Sequence, residues 1–289
     1  METLDLLRFL QDTLNGKGEG LTEEAIEQAG VEIQNALRKQ FNAKRSDKFR
    51  LRASNIGKPY CKLWHEKNKT PEIPLTPQQL MNFVLGDAVE VIYLAVLRSI
   101  YKDNFIGEQA VTVNIAGQEI KGHTDLSIAG FVHDVKSASP WSFNNKFQDT
   151  DSLKRNDSYG YVPQLLFYSR GGAGKLGGFY VLNKQNGEVK FVKMDLTADE
   201  EDRIWRDLED KVRKLESDAP FERGFDDVPE VFRRQPTGNR VLQKVCTFCE
   251  YRNTCWTNLQ VRPQIPSAAK FPRDEFYTHI EWEGDDIGS

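Results

Sequence analysis

Gly122-His123-Thr124-Asp125, with Asp134-Val135-Lys136 beginning nine residues after Asp125, supplies two carboxylates and an ammonium in an order that phosphodiester cleavage can use. Both acids lie in stretches with strand character, Gln118 to Ile128 and Phe131 to Lys136. The turn signal Ala129-Gly130 between them predicts a hairpin that sets the two side by side. Converging carboxylates hold a hard cation such as magnesium or manganese through oxygen. Side chains alternate along a strand, so Asp134 and Lys136 share one face while Val135 points to the core. A lysine placed there stabilises a hydroxide nucleophile and the charge gathering on a phosphate. The pattern reads as a metal-dependent nuclease site, although Asp-x-Lys alone also suits any charged surface strand.

The four cysteines add a second chemistry. Cys61 precedes the carboxylates, and Cys246, Cys249 and Cys255 follow them as Cys-x2-Cys-x5-Cys. The opening Met1 to Asp5 has no basic stretch and no long apolar run follows, so neither a secretory signal nor a disulfide framework is expected. Metal ligation fits better. A zinc site pairs two short halves, whereas one distant thiolate with a tight group of three suits an iron-sulfur cluster that clamps the ends of the chain together. Four independent buried cysteines are the plain alternative, and the polarity of the Thr247 to Cys255 stretch argues against it.

The elements that must position these groups can be read around them. Thr76-Pro77-Gln78-Gln79 predicts a helix start with a threonine cap, proline in the first turn and a capping box, and the helix should run to about Tyr101. Its apolar stripe takes in Leu80, Phe83, Val84, Val91, Leu94 and Leu97. Glu90 falls on the same side, where a carboxylate is costly unless a cation pairs with it; Asp87 is the second candidate for that task. An N-terminal helical section, about Glu2 to Leu14 and Thr22 to Phe41, is split by the glycine-rich stretch from Gly16 to Gly20. Strands near Leu176 to Leu182 and Glu188 to Asp195 flank a turn at Lys184 to Gly187, and Thr197 to Glu200 opens a charged helix reaching about Ser217. Strands bracketed by helices predict an α/β sandwich around a mixed central sheet. The segment from Arg262, with three prolines and an acidic end at Glu281, Glu283, Asp285 and Asp286, is expected as an extended tail.

At 289 residues the chain can bury a substantial core. A mean hydropathy of -0.58 with 28% charged residues argues against a membrane span. The net charge of -4 means that any nucleic-acid contact must come from local patches. One patch runs from Arg38 to Arg52 and includes Lys44, Arg45, Lys48, Arg50 and Arg52 with Phe41 and Phe49 interleaved; a solvated helix end and linker is its bland reading. Lys146, Lys154 and Arg155, and separately Arg233, Arg234, Arg240 and Lys244, are further candidates. No Gly-x4-Gly-Lys-Ser/Thr occurs, so any unwinding must come from a partner.

Taken together, the motifs resemble the RecB-like branch of the PD-(D/E)XK nucleases, in its four-cysteine iron-sulfur subclass, over roughly residues 52 to 257. That subclass is known from CRISPR-associated adaptation nucleases, helicase-nucleases of break repair and phage exonucleases. Its Gln-x-x-x-Tyr helix corresponds to Gln164 and Tyr168, although an ordinary amphipathic helix would look the same. Where the family has Gly-x-x-x-His, this chain has Gly86 to Glu90, an acidic substitute. The resemblance implies a restriction-endonuclease-like α/β core at residues 52–245, a helical section at 1–51, a cluster region at 246–261 and a tail at 262–289. It implies that Glu90, Asp125, Asp134 and the Val135 carbonyl hold magnesium or manganese, that Lys136 assists the attacking water, and that Gln164 and Tyr168 position water or substrate. Cys61, Cys246, Cys249 and Cys255 would hold a structural 4Fe-4S cluster. The implied activity is a DNA exonuclease on single strands or ends that leaves a 5'-phosphate and a 3'-hydroxyl. Its implied setting is the bacterial cytoplasm, in bacterial or phage recombination or repair, with a helicase or recombination protein as partner. A catalytically silent DNA-binding or assembly module, and a structural zinc protein, are the competing classes.

Overall fold

The computed structural model describes residues 2–43, 48–267 and 269–283. These fall into two compact units, one of residues 1–58 and 75–219, the other of residues 59–74 and 220–289.

The first unit opens with α1 (Glu2–Leu14) and α2 (Glu23–Leu37), separated by the expected turn. The Thr22 hydroxyl caps α2 by accepting from the Ala25 N–H. After α3 (Ala53–Ile56), and α4 (Tyr60–Lys67) of the second unit, comes α5 (Pro77–Tyr101). Its start is built as expected: the Thr76 hydroxyl accepts from Gln79 N–H at 3.2 Å and Gln79 Oε1 accepts from Thr76 N–H at 2.8 Å. The apolar stripe is covered only in its C-terminal half, where Val91, Tyr93, Leu94 and Leu97 are buried, while Phe83 is 44% exposed. Periodicity marks a face; it does not say how far a neighbour covers it. Among the described residues the Pro77–Asn104 stretch is also the one helix long and apolar enough to cross a membrane by length and composition, a property that whole-chain hydropathy averages away. In this structure its C-terminal half packs into the core.

A five-stranded sheet has the order β1 (Phe105–Ile106), β4 (Leu126–Ile128), β5 (Phe131–Ala138), β6 (Lys175–Asn183), β7 (Val189–Lys193). β5 and β6 are parallel and the other neighbours antiparallel, so the sheet is mixed, as predicted. Parallel pairing requires a crossover. It is made by α6 (Thr150–Asn156) and α7 (Tyr161–Tyr168). Alternation along β5 and β6 divides the core: Val135 and Tyr180 pack with Leu94 and Leu97, while Val132, Ala138, Phe179 and Val181 pack with Leu165, Phe167 and Leu208 of α7 and α8 (Ala198–Glu216). The Thr197–Glu200 capping box at the start of α8 forms as expected.

One predicted strand is broken. Gln118 to Ile128 is not continuous: β3 (Gln118–Thr124) pairs with β2 (Gln109–Ile115) as a separate two-stranded ribbon, β4 pairs with β5, and Asp125 stands at the break. A side-chain bond substitutes for the ladder there, as Asp125 Oδ2 accepts the Val135 N–H. The Ala129-Gly130 turn has positive φ at both positions, 49° and 81°, the type I′ geometry of a two-residue hairpin.

In the second unit, β8 (Val228–Phe232), β9 (Gln235–Val241), β10 (Gln260–Pro263) and β11 (Asp274–His279) form an antiparallel sheet in the order β10-β11-β9-β8, alongside the short helices α9 (Lys244–Thr247) and α10 (Arg252–Cys255). The segment beyond Arg262 therefore supplies an interior strand, with Tyr277 fully buried and its hydroxyl donating to Glu230 Oε1 at 2.9 Å. Asp285 and Asp286 lie outside the described residues.

Candidate active site

The β4–β5 register pairs Leu126 with His133, which sets Asp125 beside Asp134. Asp134 is 1% exposed, and among the described residues its one polar side-chain partner is the Lys136 ammonium, which forms a close ion pair with Oδ1. Burial, then the charges of Asp134 and Glu90, hold Asp125 well above the usual carboxylate range. Burial, then Asp134, pushes Glu90 up to about 7. Burial works to lower Lys136, but the charges of Asp134 and Asp125 outweigh it and keep the ammonium protonated. Three carboxylates from α5, the strand break and β5 therefore sense one another's charge around one lysine. Asp87 is differently engaged, accepting from Gln40 Nε2 at 2.8 Å and pairing with Lys39 at 3.6 Å.

Buried, mutually repelling carboxylates that outnumber their cation are the donor set of a hard cation. Among the described residues, however, no three His, Cys, Asp or Glu side chains are drawn together as a closed shell. The donor chemistry fits magnesium or manganese, and the carboxylates stand as neighbours.

α7 brings the next pair. Asp157 caps it with both oxygens, accepting from the N–H groups of Gly160, Tyr161 and Val162 at 2.8 to 2.9 Å. Gly160 has φ 80°, and a Cβ there would lie 2.3 Å from the Gly57 backbone, so α3 and α7 close only over glycine. Gln164 Nε2 donates to the Tyr168 hydroxyl at 3.0 Å, so the two share a face as expected. Burial pushes Tyr168 up to about 12; the Gln164 bond opposes this, and the charges of Asp134 and Asp125 add to it. Gly122 leaves the room that Tyr168 occupies, since a Cβ there would meet Tyr168 Cε1 at 2.9 Å.

The basic patches fare unevenly. Lys44 and Arg45 lie outside the described residues, while Lys48, Arg50 and Arg52 are exposed. Lys154 pairs with Glu200 at 2.8 Å, Arg155 donates to Ser152 Oγ at 3.1 Å, and Arg240 is held by Asp227. Lys146 is not a surface cation: it is 5% exposed, with its ammonium 4.5 Å from the Tyr159 ring centroid and 5.0 Å from that of Tyr161. The Tyr161 ring also lies 4.7 Å from Lys136 Nζ. Sequence reading missed Tyr159 and Tyr161; their closeness to Gly160, three residues after Asp157, was the available signal.

In the second unit, all four cysteines are free thiols. The Lys62–Glu250 ion pair at 2.9 Å, the Ile73 N–H bond to the Glu250 carbonyl at 2.8 Å and the His65–Tyr251 stack at 5.0 Å fix the Cys61 helix to the Cys246–Cys255 segment. Burial pushes Cys61, Cys246 and Cys249 up, Cys246 to about 11, and the other thiols add to the rise. The four are thus electrostatic neighbours of suitable donor chemistry, but not drawn into a ligand set.

The chain matches no family model and no curated protein. A solved structure described as "Crystal structure of SSO0001" aligns over 77% of this chain and 93% of that one, with 14% identity and a TM-score of 0.41, a similarity too slight to carry an argument.

Proposed function

We propose that the chain is a metal-dependent deoxyribonuclease of the RecB-like PD-(D/E)XK type, with a restriction-endonuclease-like core, acting as an exonuclease on single-stranded DNA or DNA ends. The observation that carries this reading is Asp134: an almost fully buried carboxylate with the single cation Lys136 for two further acids, Asp125 and Glu90, that feel its charge. One lysine cannot balance three buried carboxylates, so a fold has no structural use for the group unless a further cation joins it.

Glu90, Asp125 and Asp134, with the Val135 carbonyl, would hold one or two magnesium or manganese ions. A bound ion supplies Lewis acidity and positive charge for in-line attack on a phosphodiester. The Lys136 ammonium, kept charged by its neighbours, stabilises negative charge building on the phosphate. The Gln164–Tyr168 pair fixes one amide and one phenol against rotation, so that they orient water or a phosphate oxygen. Cys61, Cys246, Cys249 and Cys255 would hold a 4Fe-4S cluster as a clasp of the second unit, with no redox part in hydrolysis. A helicase or recombination protein would supply unwinding in bacterial or phage recombination or repair, in the bacterial cytoplasm.

The test is degradation of end-labelled single-stranded DNA by anaerobically purified protein with manganese, beside Asp134→Ala. Stepwise products with the wild type alone support the reading, and the labelled end gives the polarity. Glu90 standing where the related pattern has histidine favours a second reading, a catalytically silent DNA-binding module; that reading predicts binding without products in both proteins.

A further inference from the structure

Beside the proposed metal site, three aromatic rings form a column. Phe147 and Tyr161 have centroids 6.1 Å apart at 19°, and Tyr161 and Tyr159 are 5.6 Å apart at 13°. The inner end is sealed, with Phe147 at 3% exposure, and the outer ring, Tyr159, is 51% exposed. Two lysines lie against the column. Lys136 faces Tyr161, and Lys146 faces both Tyr161 and Tyr159. Lys146 is 95% buried, and among the described residues its ammonium forms neither an ion pair nor a hydrogen bond: the two rings touch it, and the Asp157 carboxylate acts on it by charge alone. Burial pushes Lys146 down more than the charge of Asp157 raises it, so this cation, in contact with ring faces alone, has no bonded anion to repay its desolvation in full.

We propose that this column is a stacking platform for one unpaired nucleotide of a single-stranded DNA substrate, whose base continues the stack on Tyr159 and whose phosphate meets Lys146. The assignment rests on the nuclease reading for the position of Lys136, and it adds the substrate class. An aromatic ring accepts any base with a free face, and bases within a duplex have none to offer, so the platform selects unpaired strands without reading sequence. Because Lys136 faces the middle ring, Tyr161, the stacked nucleotide lies next to the phosphate under attack. The net charge of -4 sets no conflict, since a nucleotide is held here by ring faces and one enclosed cation.

The experiment is fluorescence anisotropy of a short labelled oligo-dT in EDTA, with wild type, Tyr159→Ala, Tyr159→Phe and Lys146→Gln, each checked by melting curve. Tyr159→Ala is expected to weaken binding roughly tenfold, Tyr159→Phe to bind like wild type, and Lys146→Gln to reduce the salt dependence. Three results would each overturn the proposal: equal affinity in wild type and Tyr159→Ala, equal affinity for a blunt hairpin duplex, or no binding by wild type. Tighter binding of oligo-U than oligo-dT would overturn the choice of DNA. Cleavage with manganese, assayed in parallel, separates the two claims. Cleavage with an inert Tyr159 leaves the nuclease standing and removes the platform. Tyr159-dependent binding without cleavage does the reverse.

Discussion

The backbone N–H of Val135 donates to Oδ2 of Asp125 at 2.8 Å, so the middle residue of Asp-Val-Lys holds the preceding carboxylate in place. The bond leaves Asp125 Oδ1 for another partner, and it ties the strand break to the strand that carries Asp134 and Lys136. Asp125→Asn keeps an acceptor for this bond and removes the charge. It is expected to fold normally and to lose manganese-dependent cleavage, whereas Asp125→Ala loses stability as well. Melting curves beside the cleavage assay check this, and an active Asp125→Asn would remove Asp125 from the proposed metal set.

Lys136→Ala removes the cation that faces Asp134 and Tyr161. Cleavage should fall by at least ~10²-fold, the scale of losing one electrostatic stabiliser. The circular dichroism spectrum should be unchanged, because the strand pairs through its backbone. Unchanged turnover would sink the role given to Lys136.

Stability of the metal-free protein should depend on pH through Glu90. Folded, Glu90 titrates near 7 against its ordinary 4.5, because burial and Asp134 disfavour its charge. Between those values the folded state holds a proton that the unfolded state has lost, so this group's contribution to stability falls as pH rises from about 4.5 to about 7. In EDTA, Glu90→Gln should therefore gain melting temperature relative to wild type as pH is raised from about 5 to about 8. A difference that is flat with pH would show that Glu90 is solvated and not crowded by Asp134.

Gly160→Ala tests how α7 is seated. It puts a Cβ at φ 80° and against the Gly57 backbone, while Gly187→Ala puts one at φ 76° with nothing within 4 Å. The second substitution should cost only the left-handed strain, about 1–2 kcal/mol. The first should cost more, and it should lower cleavage by displacing Gln164 and Tyr168. Chemical denaturation of both variants measures the difference; equal losses would mean that the α3–α7 approach is loose.

Cys249→Ser should lower the melting temperature and the iron content of the anaerobic preparation. A colourless wild-type protein with stoichiometric zinc would replace the iron-sulfur proposal with a zinc site.

What was legible in the sequence was local. The Thr76 cap, the Thr197–Glu200 box, the Ala129-Gly130 turn and the shared face of Gln164 and Tyr168 each depend on a few adjacent residues, and each forms as read. The pairing of Asp125 with Asp134 also followed, because a two-residue turn sets register. Non-local features escaped. The break at Asp125 depends on β3 finding β2, and the burial of Lys146 depends on two tyrosines more than ten residues further along the chain. The uncovered N-terminal half of α5 depends on where its neighbour ends.

The parallel pairing of β5 with β6 has an evolutionary consequence. A single uninterrupted crossover, residues 139–174, carries Lys146, Tyr159, Tyr161, Gln164 and Tyr168, while the acids and Lys136 lie outside it. Residues proposed to choose and orient the substrate are thus genetically contiguous, and separate from the acids proposed to hold metal and from Lys136. Recombination or insertion within that one interval can change which strand is accepted while the acids and Lys136 are inherited intact.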